Sequence, residues 1–390
     1  MDIYSWILTL AITAGQLIKL PLSQNSGITL LDIAVILLCF LGLLKVKLKL
    51  IKPPLFLISA FVFAVIAILS LVLTPLHLRP EETLTSFLYT VRFGAYILLG
   101  WLIYSGAFAA FRNNIPRILI FSGLGLAVLG LLQFLFLPDL RFLQQWGFDP
   151  HYFRTVSTFL DPNFAGAFFV LTLLLLISKS YLVTPFGYVP GGSNRTPGVF
   201  YILFTILYLA LLTTFSRSSY LMFLISGITL AYLNKSKILL LSSLLLFTGL
   251  MLGFQIYSQV IAEPRNIDRA RSASSRFNTW QRGLILFQKS PILGIGYNAY
   301  RYGLKQFNLG DEEFLQSHGS SSNDSSLLFV ASTTGIIGLA GYLFFLFSLI
   351  YSKTITPAIL GLIIHSLFAN SLFYPPILAW ILLISAASKK

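Results

Sequence analysis

The sequence predicts an all-α, polytopic membrane protein of about 12 transmembrane helices, with one long extracytoplasmic loop that contains an amphipathic helix. Hydrophobic residues make up 56% of the 390 residues and charged residues 10%, whereas a typical soluble domain has about 25% charged residues. Uncharged stretches such as 118–137 and 238–258 reach the roughly 20 apolar residues that a helix needs to cross a bilayer. The composition therefore excludes an ordinary soluble enzyme, a disordered chain and a fibre.

The predicted spans divide the chain into nine membrane helices over residues 1–258, a long loop over 259–325 and three helices over 326–390. The first span does not read as a cleaved signal peptide, because Asp2 stands where a basic start is expected and no small-residue cleavage site follows. The predicted spans cover roughly residues 3–20, 28–44, 54–74, 83–105, 116–137, 163–178, 198–214, 218–234, 238–258, 326–351, 355–370 and 372–388.

Basic residues predict the orientation, because cytoplasmic loops are enriched in Lys and Arg. Loops of one parity, together with the C-terminus, carry thirteen of the 27 basic residues, and the short loops of opposite parity carry five. Long loops such as 259–325 are discounted in this comparison. We therefore expect a multi-pass protein of the cytoplasmic (inner or plasma) membrane, with both termini in the cytoplasm and the long loop outside.

Acidic residues place any polar chemistry outside the membrane. Of the thirteen Asp and Glu residues, only Asp2 falls on the predicted cytoplasmic side, so the inner face has few carboxylates for Mg²⁺ or a nucleotide sugar. The single cysteine, Cys39, excludes an intramolecular disulfide and a cysteine-based metal site. We expect no metal, no cofactor and no nucleic-acid partner. The net charge of +14 reflects topology and attraction to anionic membrane lipid.

Arginines are the candidate phosphate ligands. Arg217 lies in the short turn FSRSS between predicted spans seven and eight, where a guanidinium among hydroxyls suits a phosphate, although snorkelling to lipid headgroups is the alternative. Five arginines and no lysine lie in 265–282, which favours an anion-binding lid over diffuse adhesion to lipid. Arg276 and Arg282 belong to a predicted interfacial helix that follows possible N-caps at Ser274 and Ser275. Its apolar face contains Phe277, Trp280, Leu284 and Phe287.

Two polar residues near predicted span ten are candidates for acid–base chemistry. His318 is the only histidine in the long loop, and its side chain suits a general base near neutral pH. Asp324 lies six residues later, at the mouth of the span. The alternative for His318 is an ordinary solvated surface histidine.

Charged groups inside the predicted spans have two interpretations. Arg92 lies nine residues into span four, and an intramembrane arginine is either a functional group, here a further diphosphate ligand, or a structural partner of backbone carbonyls. The same alternatives apply to His365 in span eleven. The segment 150–164 is either a re-entrant loop held by hydrogen bonds or a functional loop, and Asn163 is expected to cap the helix that follows.

The ordered set of motifs resembles the O-antigen ligase and O-antigen polymerase superfamily, whose members share the Wzy_C region. The matching motifs are FSRSSYL, SRFNTW, SPILGIGYNAY and a His-bearing stretch that runs into TTGIIGLAGY, preceded by PNFAG. The resemblance covers about residues 150–345. It implies a GT-C-like, metal-independent, inverting glycosyltransferase that moves a glycan from an undecaprenyl-diphosphate carrier to a glycan, lipid or protein acceptor outside the cytoplasmic membrane.

The resemblance also implies roles for individual residues. Arg217 matches the arginine of the short outer turn, and Arg276 matches the arginine before the tryptophan, with Arg282 as a nearby second candidate; these would neutralise the leaving diphosphate. His318 matches the outer-loop histidine that activates the acceptor hydroxyl. In many members that histidine stands about eleven residues before the glycine of the final motif, and this spacing from Gly335 leads instead to Asp324, which takes or shares the role.

Two other classes of protein remain as alternatives. A lipid-linked glycan transporter or flippase would place charges such as Arg92 along a central cavity, but most of the polar residues here lie in one outer loop, which favours an enzyme. A structural or receptor-like membrane protein is the third interpretation. Within the family, the sequence leaves ligase, polymerase and protein O-glycosyltransferase open.

Overall fold

The computed structural model describes residues 1–23, 26–46, 52–181, 197–262 and 269–388. These segments contain fifteen α-helices and one antiparallel strand pair, so the predicted all-α membrane class is confirmed. The helices are α1 (Ile3–Ala14), α2 (Leu30–Lys45), α3 (Leu55–Val72), α4 (Pro80–Ser105), α5 (Ala109–Phe136), α6 (Pro162–Tyr181), α7 (Pro197–Thr213), α8 (Arg217–Leu233), α9 (Lys237–Tyr257), α10 (Arg269–Lys289), α11 (Tyr300–Gln306), α12 (Glu312–Gln316), α13 (Ser326–Ser348), α14 (Ile355–His365) and α15 (Pro375–Ala387), and the strands are β1 (Lys19–Ser23) and β2 (Ser26–Thr29).

Five helical stretches in the described segments are long and apolar enough to cross a membrane. They are Leu55–Val72, Pro80–Ser105, Ala109–Phe136, Lys237–Ala262 and His318–Ser348. The last begins with a polar 3-10 turn, and its apolar part starts at Ser326. Five further apolar helices, including α1, α14 and α15, are shorter. The count of twelve spans, the division into three regions and the GT-C relationship stay predictions.

The C-terminal helix α15 is a core element. All its residues from Pro376 to Ala386 are buried, and Trp380 has no accessible surface. A helix that is apolar on every side belongs in the interior of a protein. It packs against α4 and α5, while α13 packs against α3, and α8 packs between α9 and α14.

A short hairpin interrupts the region predicted as the first two spans. The helix α1 ends at Ala14, before Gly15 with φ +55°, and β1 then pairs with β2. Thr29 starts α2 through a capping box with Asp32, in which each side chain bonds the other residue's backbone N–H. This polar start of α2 is one of the features that fix Arg92, as described below.

The SPILGIG and TTG motifs are joined to each other in the structure. The segment 290–296 lies against a kink of α13 at Gly335, where φ is +66°. The Ile295 N–H donates to the Ser332 carbonyl at 3.0 Å, and a Cβ atom at position 335 would overlap the carbonyl of Ile292. These motifs therefore have a direct structural role, since only glycine allows the two backbones to come so close.

The helix α10 packs on α13, as the predicted interfacial helix would, but it begins at Arg269, five residues before the predicted cap. Its buried side is small, with Thr279 and Gly283 in contact with the loop before α13. Phe277 and Leu284 of the predicted apolar face are 67% and 51% exposed, whereas Trp280 and Phe287 are half-buried and the Trp280 ring lies 6.0 Å from that of Phe368. The predicted apolar face is therefore divided between the surface and the interior of the protein.

Candidate active site

Residues from five separate parts of the chain meet beside the middle of α10. Besides α10, these parts are the stretch that leads into α6, the turn between α7 and α8, the loop before α13 and the end of α14. Ser216 Oγ donates to Asn163 Oδ1 at 2.8 Å, and Thr279 Oγ1 donates to Asp324 Oδ2 at 2.7 Å. We call this assembly the outer polar cluster; its members are Asp149, Arg154, Asp161, Asn163, Ser216, Ser218, Ser219, Arg276, Thr279, Asp324 and His365.

The turn between α7 and α8 is held by an arginine that the sequence did not single out. Arg154 Nε donates to the Thr214 carbonyl at 2.9 Å, and its Nη2 to the Phe215 carbonyl at 3.4 Å. These bonds satisfy carbonyls left without partners at the end of α7. Ser216 then caps α8 by accepting from the Ser219 N–H. The arginine therefore fixes the turn beside the segment 150–164.

The cap of α6 differs from the prediction. Asp161, rather than Asn163, accepts the first backbone N–H groups of the helix, from Asn163 at 2.6 Å and Phe164 at 3.1 Å. The Asp161 carboxylate occupies the capping position because the residue stands just before the helix. Its negative charge also interacts favourably with the positive end of the helix dipole. The Asn163 side chain is thereby released to accept from Ser216 and, at 3.4 Å, from Ser218.

Three carboxylates share the outer polar cluster with Arg276 and Arg154. Burial first, and then the charges of Asp161 and Asp324, raise the pKa of Asp149 to about 6, while the two arginines oppose this shift. Burial also raises the pKa of Asp161, against its backbone hydrogen bonds and the same arginines. The side chain of Asp149 is nevertheless exposed to solvent. Carboxylates held close together raise one another's pKa, because each negative charge disfavours ionisation of its neighbours.

Arg276 is the cation of the cluster whose side chain has the fewest hydrogen bonds. It is half-buried, and in the described part of the chain its guanidinium has no hydrogen bond and no ion pair. Its charge nevertheless acts on Asp149, Asp161 and Asp324. A guanidinium that is close to carboxylates without contacting them keeps its N–H donors available for a ligand.

Asp324 is held in the cluster by its neighbours. Asn323 is buried and donates to the Thr279 carbonyl and, at 2.9 Å, to the Tyr300 hydroxyl. Its Oδ1 accepts from the Ser325 N–H at 2.9 Å. The loop before α13 is therefore fixed against α10, and Asp324 faces Thr279 and Arg276.

The other predicted site residues have different surroundings. Arg217 is exposed at the start of α8, with its guanidinium 5.5 Å from the centre of the Phe254 ring. Arg282 stacks on Phe314 at 4.1 Å. The arginines that act on Asp149 and Asp161 are Arg154 and Arg276, and Arg276 also acts on Asp324. The structure therefore brings Arg276 and Asp324 together but places the side chains of Arg217 and Arg282 on aromatic rings.

His318 lies beside other residues than Asp324. Its ring packs on Phe148, with the centroids 4.9 Å apart, and the cations that act on it are Lys19 and Arg301. The other histidine considered in the sequence, His365, is buried within the outer polar cluster. Its Nε2 atom lies 3.3 Å from Ser219 Oγ.

Arg92 has the structural partners that the sequence left open. Its Nη2 donates at 2.9 Å to the Gly27 carbonyl and at 2.9 Å to Asp32 Oδ2, and its guanidinium lies 4.9 Å from the centre of the Tyr89 ring. The ion pair explains how an arginine is tolerated at this depth of α4. Arg92 also borders a cavity of about 540 Å³ beside the cluster.

Sequence reasoning missed Asp149, Asp161 and Arg154 as site residues. All three lie in or next to the segment 150–164, whose many polar residues before an apolar helix were the available signal. No group of three or more His, Cys, Asp or Glu side chains able to hold a metal ion occurs in the described segments.

Comparison with known proteins gives one family. Residues 201–343 match the family model Wzy_C, described as O-antigen ligase. The matched range starts in α7 and contains Arg217, Arg276, Arg282, His318 and Asp324. No curated protein matches the chain.

Proposed function

The Wzy_C match supports the O-antigen ligase and polymerase superfamily for this chain, and from that premise we propose that it transfers an oligo- or polysaccharide. The donor is an undecaprenyl-diphosphate-linked glycan, and the acceptor is reached on the outer side of the cytoplasmic membrane. Both termini then lie in the cytoplasm, and the outer polar cluster faces the opposite side. The excess of Lys and Arg in loops of one parity supports this orientation.

The observation that carries the proposal is the half-buried Arg276 without a hydrogen-bond partner among the described residues, at the meeting point of hydroxyls and carboxylates. A departing diphosphate needs charge neutralisation, and a guanidinium supplies it through two parallel N–H bonds. Arginine thereby takes the place that Mg²⁺ occupies in many diphosphate-leaving reactions, which is why we propose metal-independent transfer.

Asp324 is the base in this proposal. Its place beside Arg276 supports it over His318, which has Phe148, Lys19 and Arg301 as neighbours. The carboxylate takes the proton of the acceptor hydroxyl, and the oxygen attacks the anomeric carbon on the face opposite the diphosphate. The bond from that carbon to the phosphate oxygen breaks, undecaprenyl diphosphate leaves on Arg276, and the anomeric configuration inverts.

The remaining candidates have supporting roles in the proposal. Arg217 and Arg282 guide the diphosphate at the membrane surface, and contact with it requires their side chains to leave the rings of Phe254 and Phe314. Arg92, which is paired with Asp32, is assigned a structural role instead of a place among the diphosphate ligands.

The test is glycan transfer by purified protein in EDTA, with a synthetic polyprenyl-diphosphate oligosaccharide and a panel of lipid, glycan and protein acceptors. We expect Arg276→Ala to lower kcat by about 100-fold or more, the usual effect of losing a group that stabilises transition-state charge. Asp324→Asn should lower kcat with little change in the donor KM. Arg117→Ala, at an exposed arginine on the predicted cytoplasmic side, is the matched control.

Two results would contradict the proposal. Full activity of Arg276→Ala would remove the diphosphate-binding role on which it depends. No transfer by the wild type to any acceptor, combined with movement of the same lipid across liposomes, would favour the flippase alternative.

A further inference from the structure

A single polar side chain stands in the last part of the apolar helix α5. Gln133 is the only residue with a polar side chain in the stretch 123–137, and it lies three residues before the end of the helix. An amide in such a stretch needs partners within the protein, because hydrocarbon offers it no hydrogen bonds. The partners of Gln133 therefore indicate why a polar residue stands at this position.

The Gln133 amide binds the backbone of residues 154–156. Its Nε2 donates to the Arg154 carbonyl at 3.2 Å, and its Oε1 accepts from the Val156 N–H at 3.0 Å. Nε2 also donates to the Leu137 carbonyl of its own helix at 3.1 Å. A carbonyl and the N–H two residues later are the groups that an extended segment presents to a neighbouring strand. The side-chain amide thus takes the place of a backbone partner.

The end of α7 holds the other side of the same segment. The Thr155 N–H donates to the Thr213 carbonyl at 2.9 Å, and the hydroxyl oxygens of the two threonines are hydrogen-bonded at 2.7 Å. Residues 154–156 therefore join α5 to α7, although they belong to no helix or strand of their own.

The backbone on both sides of this segment is strained. Phe153 and Ser157 have φ values of +46° and +55°, in the left-handed region that side chains of L-residues disfavour. Such a backbone persists only where its surroundings hold it. The Phe153 N–H donates to the Pro138 carbonyl at 2.8 Å, and Ser157 Oγ donates to the Leu126 carbonyl at 2.7 Å. Gln133 holds the residues between these two points, so its loss should let the segment relax.

Arg154 connects this segment to the outer polar cluster. Its guanidinium holds the turn between α7 and α8 through two carbonyls. Its charge also opposes the raised pKa of Asp149 and Asp161. A shift of the Arg154 backbone would therefore change both the turn that carries Ser216 and the charge balance at two of the acids.

We propose that Gln133 is a positioning residue of the glycan transfer, and that it acts by holding residues 154–156 and thereby fixing Arg154 in the outer polar cluster. The inference rests on the proposed function, and it adds a residue that lies outside the range matched by the family model. The alternative is that Gln133 serves only the end of its own helix, for which the bond to Leu137 is sufficient.

The first experiment is a double-mutant cycle in the transfer assay. Gln133→Met keeps the length of the side chain and removes its hydrogen bonds, and we expect it to lower kcat about tenfold. In an Arg154→Met background, the same change should lower kcat less than about twofold, because the two residues act in series. Gln255→Met, at an exposed glutamine two residues before the end of α9, is the matched control and should transfer as the wild type does.

The second experiment uses Gln133→Glu, which has the same shape. An ionised carboxylate cannot donate to the Arg154 carbonyl, whereas a protonated carboxyl has one donor and one acceptor and restores both bonds to the segment. The kcat of this variant, divided by that of the wild type at the same pH, should therefore rise several-fold as the pH falls from about 8 to about 5.5. A glutamine that only fills space would give a ratio that does not depend on pH.

The third experiment does not depend on activity. Amide hydrogen exchange is followed by mass spectrometry on the full-length protein in lipid nanodiscs. Gln133→Met should speed exchange both in residues 153–157 and in the turn at residues 214–219, whereas Arg154→Met should speed it only in the turn. Gln255→Met should change neither segment.

The inference is overturned if Gln133→Met transfers at the wild-type rate, or if it loses the same factor with and without Arg154. Unchanged exchange in the turn of Gln133→Met would also overturn it, because Arg154 would then keep its place without the glutamine. A wild type that transfers no glycan contradicts the proposed function, and the exchange data then still decide whether Gln133 fixes Arg154.

Discussion

At the residue scale, the outer polar cluster is a case of coupled acids. The charge of Asp161 raises the pKa of both Asp149 and Asp324, and the charge of Asp324 also raises that of Asp149. Arg276 opposes the rise at all three acids, and Arg154 opposes it at Asp149 and Asp161. Groups coupled in this way titrate as a set. The cluster can therefore hold a carboxylate that releases its proton closer to neutrality than an isolated aspartate does.

The first prediction concerns Asp324, whose pKa is raised by burial and by the charge of Asp161. If Asp324 is the base, transfer should fall as pH decreases through its pKa, where the carboxylate gains a proton. Asp161→Asn removes one negative charge and keeps an oxygen that can cap α6, so the pKa of Asp324 should fall and the acidic limb of the kcat/KM profile should move to lower pH. The measurement is transfer rate against pH.

Asp139→Asn is the control for this prediction. Asp139 is paired with Arg141 at 2.6 Å, outside the cluster, and its replacement should leave the acidic limb where it is in the wild type. An acidic limb that is unchanged in Asp161→Asn would show that Asp324 does not supply the base.

At the element scale, two of the motifs that carry the family resemblance join the segment 290–296 to the helix α13. The kink at Gly335 and the segment 290–296 form a single backbone contact, to which Ser70 of α3 adds a hydrogen bond to the Thr333 carbonyl at 2.7 Å. This contact positions α13, and α13 carries the loop with Asp324. The glycines therefore act on the site through the placement of a helix.

The second prediction is that Gly335→Ala destabilises the protein by about 2 kcal/mol or more, because it adds a strained positive φ to a steric overlap with Ile292. Thermal unfolding in detergent is the measurement. Gly94→Ala in α4, where no atom lies within 4 Å of the added Cβ, should be neutral or slightly stabilising. Equal unfolding temperatures for the two variants would contradict the interpretation of the kink.

At the scale of the whole molecule, α15 and Arg92 show how an apolar bundle accommodates a charged side chain. The helix α15 contributes an apolar surface on every side, and the ion pair with Asp32 neutralises Arg92, which borders the cavity of about 540 Å³. Arg276, whose guanidinium has no ion pair in the described segments, is then the cation available in the outer polar cluster, where the proposed chemistry takes place.

The third prediction is the orientation. With Cys39 replaced by alanine, a cysteine at Glu313 should react with a membrane-impermeant maleimide in intact cells, and a cysteine at Lys353 should react only after the membrane is opened. Both positions are exposed in the structure, so lack of reaction reports the membrane and not burial. Reaction of both, or the reverse pattern, would contradict the predicted topology.

The membrane class and the helical content were predictable from the sequence. Hydropathy and helical periodicity are local properties, so α3, α4, α5 and α13 were recognised close to their observed bounds. The hairpin at residues 19–29 was not, because its strands are short and follow an apolar segment without a break. Arg276 and Asp324 were named from spacing and resemblance alone.

What the sequence by itself determined is an apolar, α-helical chain that crosses a membrane, with most of its arginines and acids in the segments between the predicted spans. Only the tertiary structure decided that Asp324 rather than His318 lies beside Arg276, that Asp149 joins them, and that Arg92 pairs with Asp32. The physical reason is distance along the chain. Charges and hydrogen bonds between residues tens to hundreds of positions apart depend on how helices pack, and no local pattern encodes that packing.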